Sequence, residues 1–127
     1  MSGPPTRGPR VLLSNLTPMT RLGMEEVLAT DGIEVVRGDG GAGRVLAAVR
    51  RLRPDAVVLG MDRARSRALG ERIRAAAPRV KLILWARDEE AMEVFDPGSP
   101  TPRRITPPRP RALLGEFADD RLSSGRN

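Results

Sequence analysis

The apolar run Ala56-Val57-Val58-Leu59 sets the strongest limit on what this chain can fold into. Pro54 stops any helix before it and Gly60 frees the backbone after it. Four consecutive apolar residues between such breakers suit a strand covered on both faces. Such a strand needs helices above and below it, and the flanking sequence supplies them. Short apolar runs alternate three times with segments whose apolar residues recur at spacings of three and four. That alternation predicts an α/β chain with a parallel sheet, right-handed crossovers and helices on both faces.

In chain order, residues 1–9 hold Gly3, Pro4, Pro5, Gly8 and Pro9, a composition expected to form a disordered tail. Arg10 to Leu16 reads as the first strand. Thr17 is the expected N-cap and Pro18 the first residue of a helix, because the missing proline N–H costs nothing there. Met24, Val27 and Leu28 form its inward stripe, and Asp31-Gly32 its end. Ile33 to Val36 reads as a second strand. The glycine-rich turn Arg37 to Gly43 lacks the spacing and the lysine of a phosphate cradle. A second helix turns Val45, Leu46, Val49 and Leu52 inward and stops at Pro54.

After the central strand, Asp62 is expected to cap a third helix over Arg63 to Ala77, with Ala68, Leu69, Ile73 and Ala76 on one face. Asp55, at the strand's other end, reads as a turn residue. Val80 to Trp85 is a fourth strand. Arg87 to Phe95 allows two or three helical turns, broken by Asp96-Pro97-Gly98-Ser99-Pro100-Thr101-Pro102. Arg103 to Thr106 reads as a short edge strand, and Arg111 to Ala118 as a last helix with Leu113, Leu114 and Phe117 inward. Residues 119–127 are expected to be a disordered tail, leaving one domain over 10–118.

Composition narrows the chemistry. The 127 residues contain no cysteine and no histidine, which excludes disulfides, thiolate or imidazole metal sites and a histidine general base. With 39% hydrophobic but only 2% aromatic residues, the core is expected to consist of Val, Leu, Ile, Ala and Met. No apolar run approaches a membrane span, and residues 1–10 lack the hydrophobic segment of a signal peptide, so a cytoplasmic and bacterial setting is expected. The net charge of +6 and the pI near 11.4 raise the possibility of nucleic acid. All cations but Lys81 are arginines, however, dispersed along the whole chain. A solvated arginine-rich surface is therefore the reading taken, with an acidic protein partner and nucleic acid as alternatives.

The segments RLGMEEVLATDGIEVV, VRRLRPDAVVLG and ERIRAAAPRVKLIL, in that order, resemble receiver domains of bacterial response regulators, most closely the NarL/FixJ type. The resemblance runs from Arg10 to about Asp88, and more weakly from Ile105 to Phe117. It implies a flavodoxin-like, doubly wound sheet of five parallel strands in the order 2-1-3-4-5, with any site at their carboxyl ends. The family's chemistry is Mg²⁺-assisted transfer of a phosphoryl group to an aspartate after the third strand. By resemblance, Gly60 stands at that aspartate and Ser14-Asn15 at the acidic pair that helps to hold the cation. Ala86 stands at the hydroxyl residue after the fourth strand, with Trp85 as the alternative register. Thr106 stands at the lysine of the fifth strand, with Pro107 retained after it and a cis bond allowed by the resemblance.

Nothing in that set supplies a nucleophile or an anionic cage, so neither an enzyme nor a metal or other cofactor is expected. Asp62, two residues past Gly60, is read as a helix cap and not as a displaced acceptor. Trp85 either fills the vacated pocket or stacks a small ligand or partner. The shortened fourth helix damages the family's signalling face, and the chain is expected to end before any helix-turn-helix domain could follow. The resulting expectation is a stand-alone pseudo-receiver, a protein-interaction module that docks on a regulator or kinase-like partner without phosphorylation. Expected surfaces are the first and last helices, for dimerisation, and the basic segment Pro97 to Arg111. Two alternatives remain: a nucleic-acid or polyanion binder through Arg103, Arg104, Arg109 and Arg111, and a ligand sensor near Trp85.

Overall fold

The computed structural model describes residues 9–85 and 91–117, which form an α/β structure around one six-stranded sheet. The expected tails, apart from Pro9, and the position of Ala86 lie outside the described residues. In chain order the elements are β1 (Arg10–Ser14), α1 (Pro18–Thr30), β2 (Glu34–Arg37), α2 (Ala42–Leu52), β3 (Ala56–Leu59), α3 (Arg63–Ala76), β4 (Lys81–Leu84), β5 (Met92–Phe95) and β6 (Arg103–Ile105). A further helix, α4, covers residues 112–117. Among the described residues no helix is long and apolar enough to cross a membrane.

The sheet order is β2-β1-β3-β4-β5-β6. The first four strands are parallel, with Leu12 opposite Val57 and Val57 opposite Leu82. β3 is central among them, and its four residues are fully buried, as its sequence requires. Ala56 and Val58 face a core shared with Met24 and Leu28 of α1 and with Leu113 and Phe117 of α4. Val57 and Leu59 face the opposite core, with Val45, Leu46 and Val49 of α2 and Leu69 and Ile73 of α3. Strand periodicity of two thus divides one apolar run between two helical layers.

The local signals for helix ends act as expected. Thr17 Oγ1 accepts the Thr20 N–H and Pro18 opens α1, while the Asp62 carboxylate accepts the Arg65 N–H at 3.0 Å and starts α3. Val27 and Leu52 are half-buried, whereas Ala68 and Ala76, expected inward, are exposed, because α3 covers the sheet with the narrower stripe Leu69-Ile73. Asp55 does more than turn the chain. Its carboxylate accepts the Arg10 N–H at 2.7 Å and its carbonyl accepts the Lys81 N–H at 3.0 Å, fastening the starts of three strands together.

The second half of the sheet departs from expectation. Residues 92–95 are strand and not the shortened fourth helix, and they run antiparallel to β4, with Leu84 opposite Glu93 and Leu82 opposite Phe95. β6 then runs antiparallel to β5. The sheet is therefore mixed and six-stranded, not parallel and five-stranded. Met92 and Val94 enter the α1/α4 core, while Glu93 between them points the other way and pairs with Arg67 of α3 at 2.8 Å. That is a period of two over four residues, too short to be separated from a helical period by sequence alone. The strand is fixed by its two neighbours, which are distant in sequence.

Candidate functional site

At the carboxyl ends of the parallel strands, β1 and β3 bring Ser14, Asn15 and Gly60 together. The Gly60 N–H donates to the Ser14 carbonyl at 2.9 Å, so the two strands stay paired up to the turn. Asn15 then takes the left-handed conformation, φ +58°, which folds the chain back over the end of β3. The result is a closed surface. A Cβ placed on Gly60 would lie 2.6 Å from Leu16 Cδ2, 2.8 Å from the Asn15 carbonyl oxygen and 2.8 Å from Leu16 Cα. Two of these three atoms are backbone, so a side chain at position 60 requires the 15–16 segment to move. Leu16 itself is 8% exposed and belongs to the α1/α4 core. The atoms nearest to a Cβ on residue 60 are therefore those of Asn15 and Leu16.

The side chains at 14 and 15 have structural work in place of cation binding. Ser14 is fully buried and its Oγ accepts from Asn15 Nδ2 at 3.1 Å. The Asn15 amide also brackets one residue of the glycine-rich turn, donating to the Gly40 carbonyl at 2.9 Å and accepting the Gly40 N–H at 3.0 Å. Its own N–H donates to Asp39 Oδ1 at 2.8 Å. An amide presents a donor and an acceptor side by side, which a carboxylate cannot do, so Asn15 suits a backbone clamp and not a cation. Among the described residues, no three acidic side chains stand close enough to hold a metal ion.

The remaining expected positions are pulled apart by the topology. Trp85 follows β4, donates its N–H to the Leu59 carbonyl at 2.8 Å and packs half-buried against the α1/α4 core. Thr106 follows β6 on the same sheet edge, but β4 and β5 both separate β6 from β3. Three inter-strand spacings place it roughly 14 Å from the Gly60 strand. The inserted antiparallel β5 is the cause, since without it β6 would lie one strand nearer. The Thr106–Pro107 peptide is cis, as the resemblance allows.

A cleft of about 540 Å³ opens at this end of the sheet, bounded by Asn15, Gly40, Ala42, Asp62, Arg65 and Arg72. It lies on the α2/α3 side of the sheet, and Trp85 does not line it.

At the other end of the sheet four charged groups of the described residues gather, of which sequence reading singled out Arg103 alone, as a contact residue. Lys81, the only lysine, starts β4 at 4% exposure. Its Nζ lies 3.3 Å from Glu116 Oε1 of α4, 3.1 Å from the Glu116 carbonyl and 3.7 Å from Asp96. Arg103 joins the same carboxylates, reaching Asp96 through two hydrogen bonds of 2.8 and 2.9 Å and Glu116 through Nη2. Among the described residues two cations meet two anions, which offsets the cost of burying Lys81 and Glu116. The Arg103 hydrogen bond is the main cause that holds the Asp96 carboxyl below its ordinary range, against some burial. For Glu116, burial pushes upward most strongly, but Arg103 and Lys81 together outweigh it and the net direction is down. Arg103 is held well above its ordinary value by the same two carboxylates. The cluster ties the β5–β6 hairpin and α4 to the parallel strands.

Arg103 thus makes ion pairs within the fold while 47% of its side chain stays exposed, and Arg104, Arg109 and Arg111 are also exposed. One signal for the cluster was present in the sequence: a single lysine inside the apolar run Val80 to Leu84 needs a buried partner. Compared with protein families and with curated proteins, the chain matches no family model and no curated relative.

Proposed function

We propose that this chain is a receiver-like regulatory module that has lost the phosphoryl switch and acts by docking on a protein partner, without catalysing a reaction. The observation that carries the reading is the closed end of β3, where the Asn15-Leu16 backbone leaves no room for a Cβ on Gly60. Two further features support it. The parallel strands follow the order 2-1-3-4 with α1 on one face and α2 and α3 on the other. The segments quoted from residues 21–84 carry the likeness of sequence. On this reading the flavodoxin-like core is kept through β4, and an antiparallel hairpin replaces the signalling half.

The docking surface assigned is α1 together with α4. Among the described residues Met19 and Leu22 are the large apolar side chains that stand exposed, at 85% and 59%, one turn apart on α1. The partner is a second copy or a regulator or kinase-like protein of a bacterial cytoplasm. Incubation with acetyl phosphate and Mg²⁺, followed by intact-mass measurement and sedimentation, tests the proposal. The expected results are no phosphoryl adduct, an assembly state indifferent to acetyl phosphate, and weaker assembly for Met19→Glu/Leu22→Glu. A stable adduct, or assembly that appears only with acetyl phosphate, would sink it.

A further inference from the structure

The arginines that look dispersed along the sequence are gathered by the fold. Residues 42–79 contain ten arginines against Asp55, Asp62 and Glu71, a net charge of +7 where the whole chain carries +6. Those residues are α2, β3, α3 and their connections. β3 is buried, so the charge is displayed on one layer, where α2 and α3 pack side by side. Both helices run from the carboxyl to the amino end of the sheet, and the seam between them carries a cleft at each end. The first is the 540 Å³ cleft with Arg65 and Arg72. The second, about 580 Å³, lies between the helix ends and is bordered by Arg50, Arg53 and Arg79.

Arg50, Arg53, Arg72 and Arg79 are exposed, and none has a carboxylate within 4.0 Å among the described residues. Arg65 is 79% exposed and only 3.5 Å from Asp62. The two acidic groups along the seam are occupied, Asp62 in capping α3 and Asp55 in accepting the Arg10 N–H. Four guanidinium groups without a carboxylate in reach, Arg50 and Arg72 on the helices and Arg53 and Arg79 just past their ends, together with Arg65 beside Asp62, make an anion-binding surface.

The occupant is set by what the surface offers and lacks. Protein partners are anchored by aromatic or large apolar side chains in pockets, and this layer presents none; the exposed large apolar residues lie on α1, across the sheet. Single-stranded nucleic acid is held by stacking on aromatic rings, which residues 42–79 lack altogether. What remains is a regular array of phosphates. The 14 residues of α3 span roughly 21 Å at about 1.5 Å per residue. Phosphates on each strand of a duplex rise about 3.4 Å along the axis while winding round it, so a seam of roughly 21 Å passes about six per strand, and those of both strands on the near side are within reach of the five arginines. We infer that the α2/α3 seam binds the phosphate backbone of duplex DNA, without reading bases.

Fluorescence anisotropy of the full chain with two labelled duplexes of unrelated sequence, from 50 to 200 mM salt, tests this. Both duplexes should bind equally, with a slope of log K against log salt of about −4.5 for five phosphate contacts, a loss of roughly 500-fold over that range. The triple variant Arg50→Gln/Arg72→Gln/Arg79→Gln should flatten the slope by about three while keeping the parent's circular dichroism melt, since those side chains have no partner to lose. Arg109→Gln/Arg111→Gln should change neither. The inference fails if no binding occurs at 50 mM salt, if the triple variant binds like the parent, or if the Arg109/Arg111 variant is the one that weakens. Tighter binding of single strands or duplex RNA, or displacement of DNA by polyglutamate at equal charge, also overturns it.

Discussion

Replacing Gly60 by alanine is the most direct probe of the closed strand end. Ordinary carbon contacts stand at about 3.5–4.0 Å. The new Cβ would meet Leu16 Cδ2 at 2.6 Å and the Asn15 carbonyl and Leu16 Cα at 2.8 Å. Leu16 Cδ2 can swing aside, but the backbone atoms retreat only if Asn15 moves with them. Asn15 holds Asp39 and both the N–H and the carbonyl of Gly40, so retreat loosens the turn that starts α2. Overpacking costs about 1–3 kcal/mol. Each weakened hydrogen bond adds about 0.5–1.5 kcal/mol. The expected loss is therefore about 2–4 kcal/mol, a large part of the roughly 5–15 kcal/mol that holds a domain together. Urea unfolding followed by Trp85 fluorescence should show the midpoint fall by about 1–2 M for an m-value near 2 kcal/mol/M. Gly60→Asp adds burial of a carboxylate to the same clash, so Ser14→Asp/Asn15→Asp/Gly60→Asp should be less stable still and take no phosphoryl group from acetyl phosphate. A Gly60→Ala loss below about 0.5 kcal/mol, smaller than any overpacked core site, would refute the packing argument. So would a triple aspartate variant that keeps parental stability and is phosphorylated.

Lys81→Met leaves Glu116 buried with one cation in place of two and should cost about 3–5 kcal/mol in thermal or urea unfolding. Lys81→Met/Glu116→Leu should recover much of that loss. Asp96 and Glu116 are held below their unfolded values, so the stability they contribute is complete above the ordinary carboxylate range, about pH 4–4.5, and declines as pH falls through it toward the folded values. Acid unfolding should therefore steepen below about pH 4.5, and Glu116→Gln should flatten that limb. Asp62→Ala should cost about 0.5–2 kcal/mol through loss of the α3 cap, while Asp62→Asn keeps most of it, as read by urea unfolding.

Much of the fold was legible because its signals are local. Thr17-Pro18 and Asp62 start helices through hydrogen bonds to residues two or three positions on, and Pro54 and Gly60 frame β3 through their own backbone limits. The apolar run 56–59 needed only its own composition to declare burial on both faces. At the candidate site, the glycine at position 60 was legible, but not the close approach of Leu16 and the Asn15 carbonyl to it, since that depends on a left-handed turn meeting a neighbouring strand. The helix expected near Arg87 to Phe95 failed at 92–95 for a related reason. Four residues cannot declare their period, and β4 and β6 decided it.

By itself, then, the sequence determined the absence of thiol and imidazole chemistry, and the alternation that makes a sheet covered on both faces. Tertiary structure alone decided the rest. It inserted an antiparallel strand that carries Thr106 away from Gly60. It closed a two-by-two charge cluster around Lys81, and it collected arginines 26 and 29 residues apart, such as Arg53 with Arg79 and Arg50 with Arg79, along one seam. Residue type and spacing fix what a side chain can do. Only the pairing of distant segments fixes what it stands beside, and charge acts through that neighbourhood.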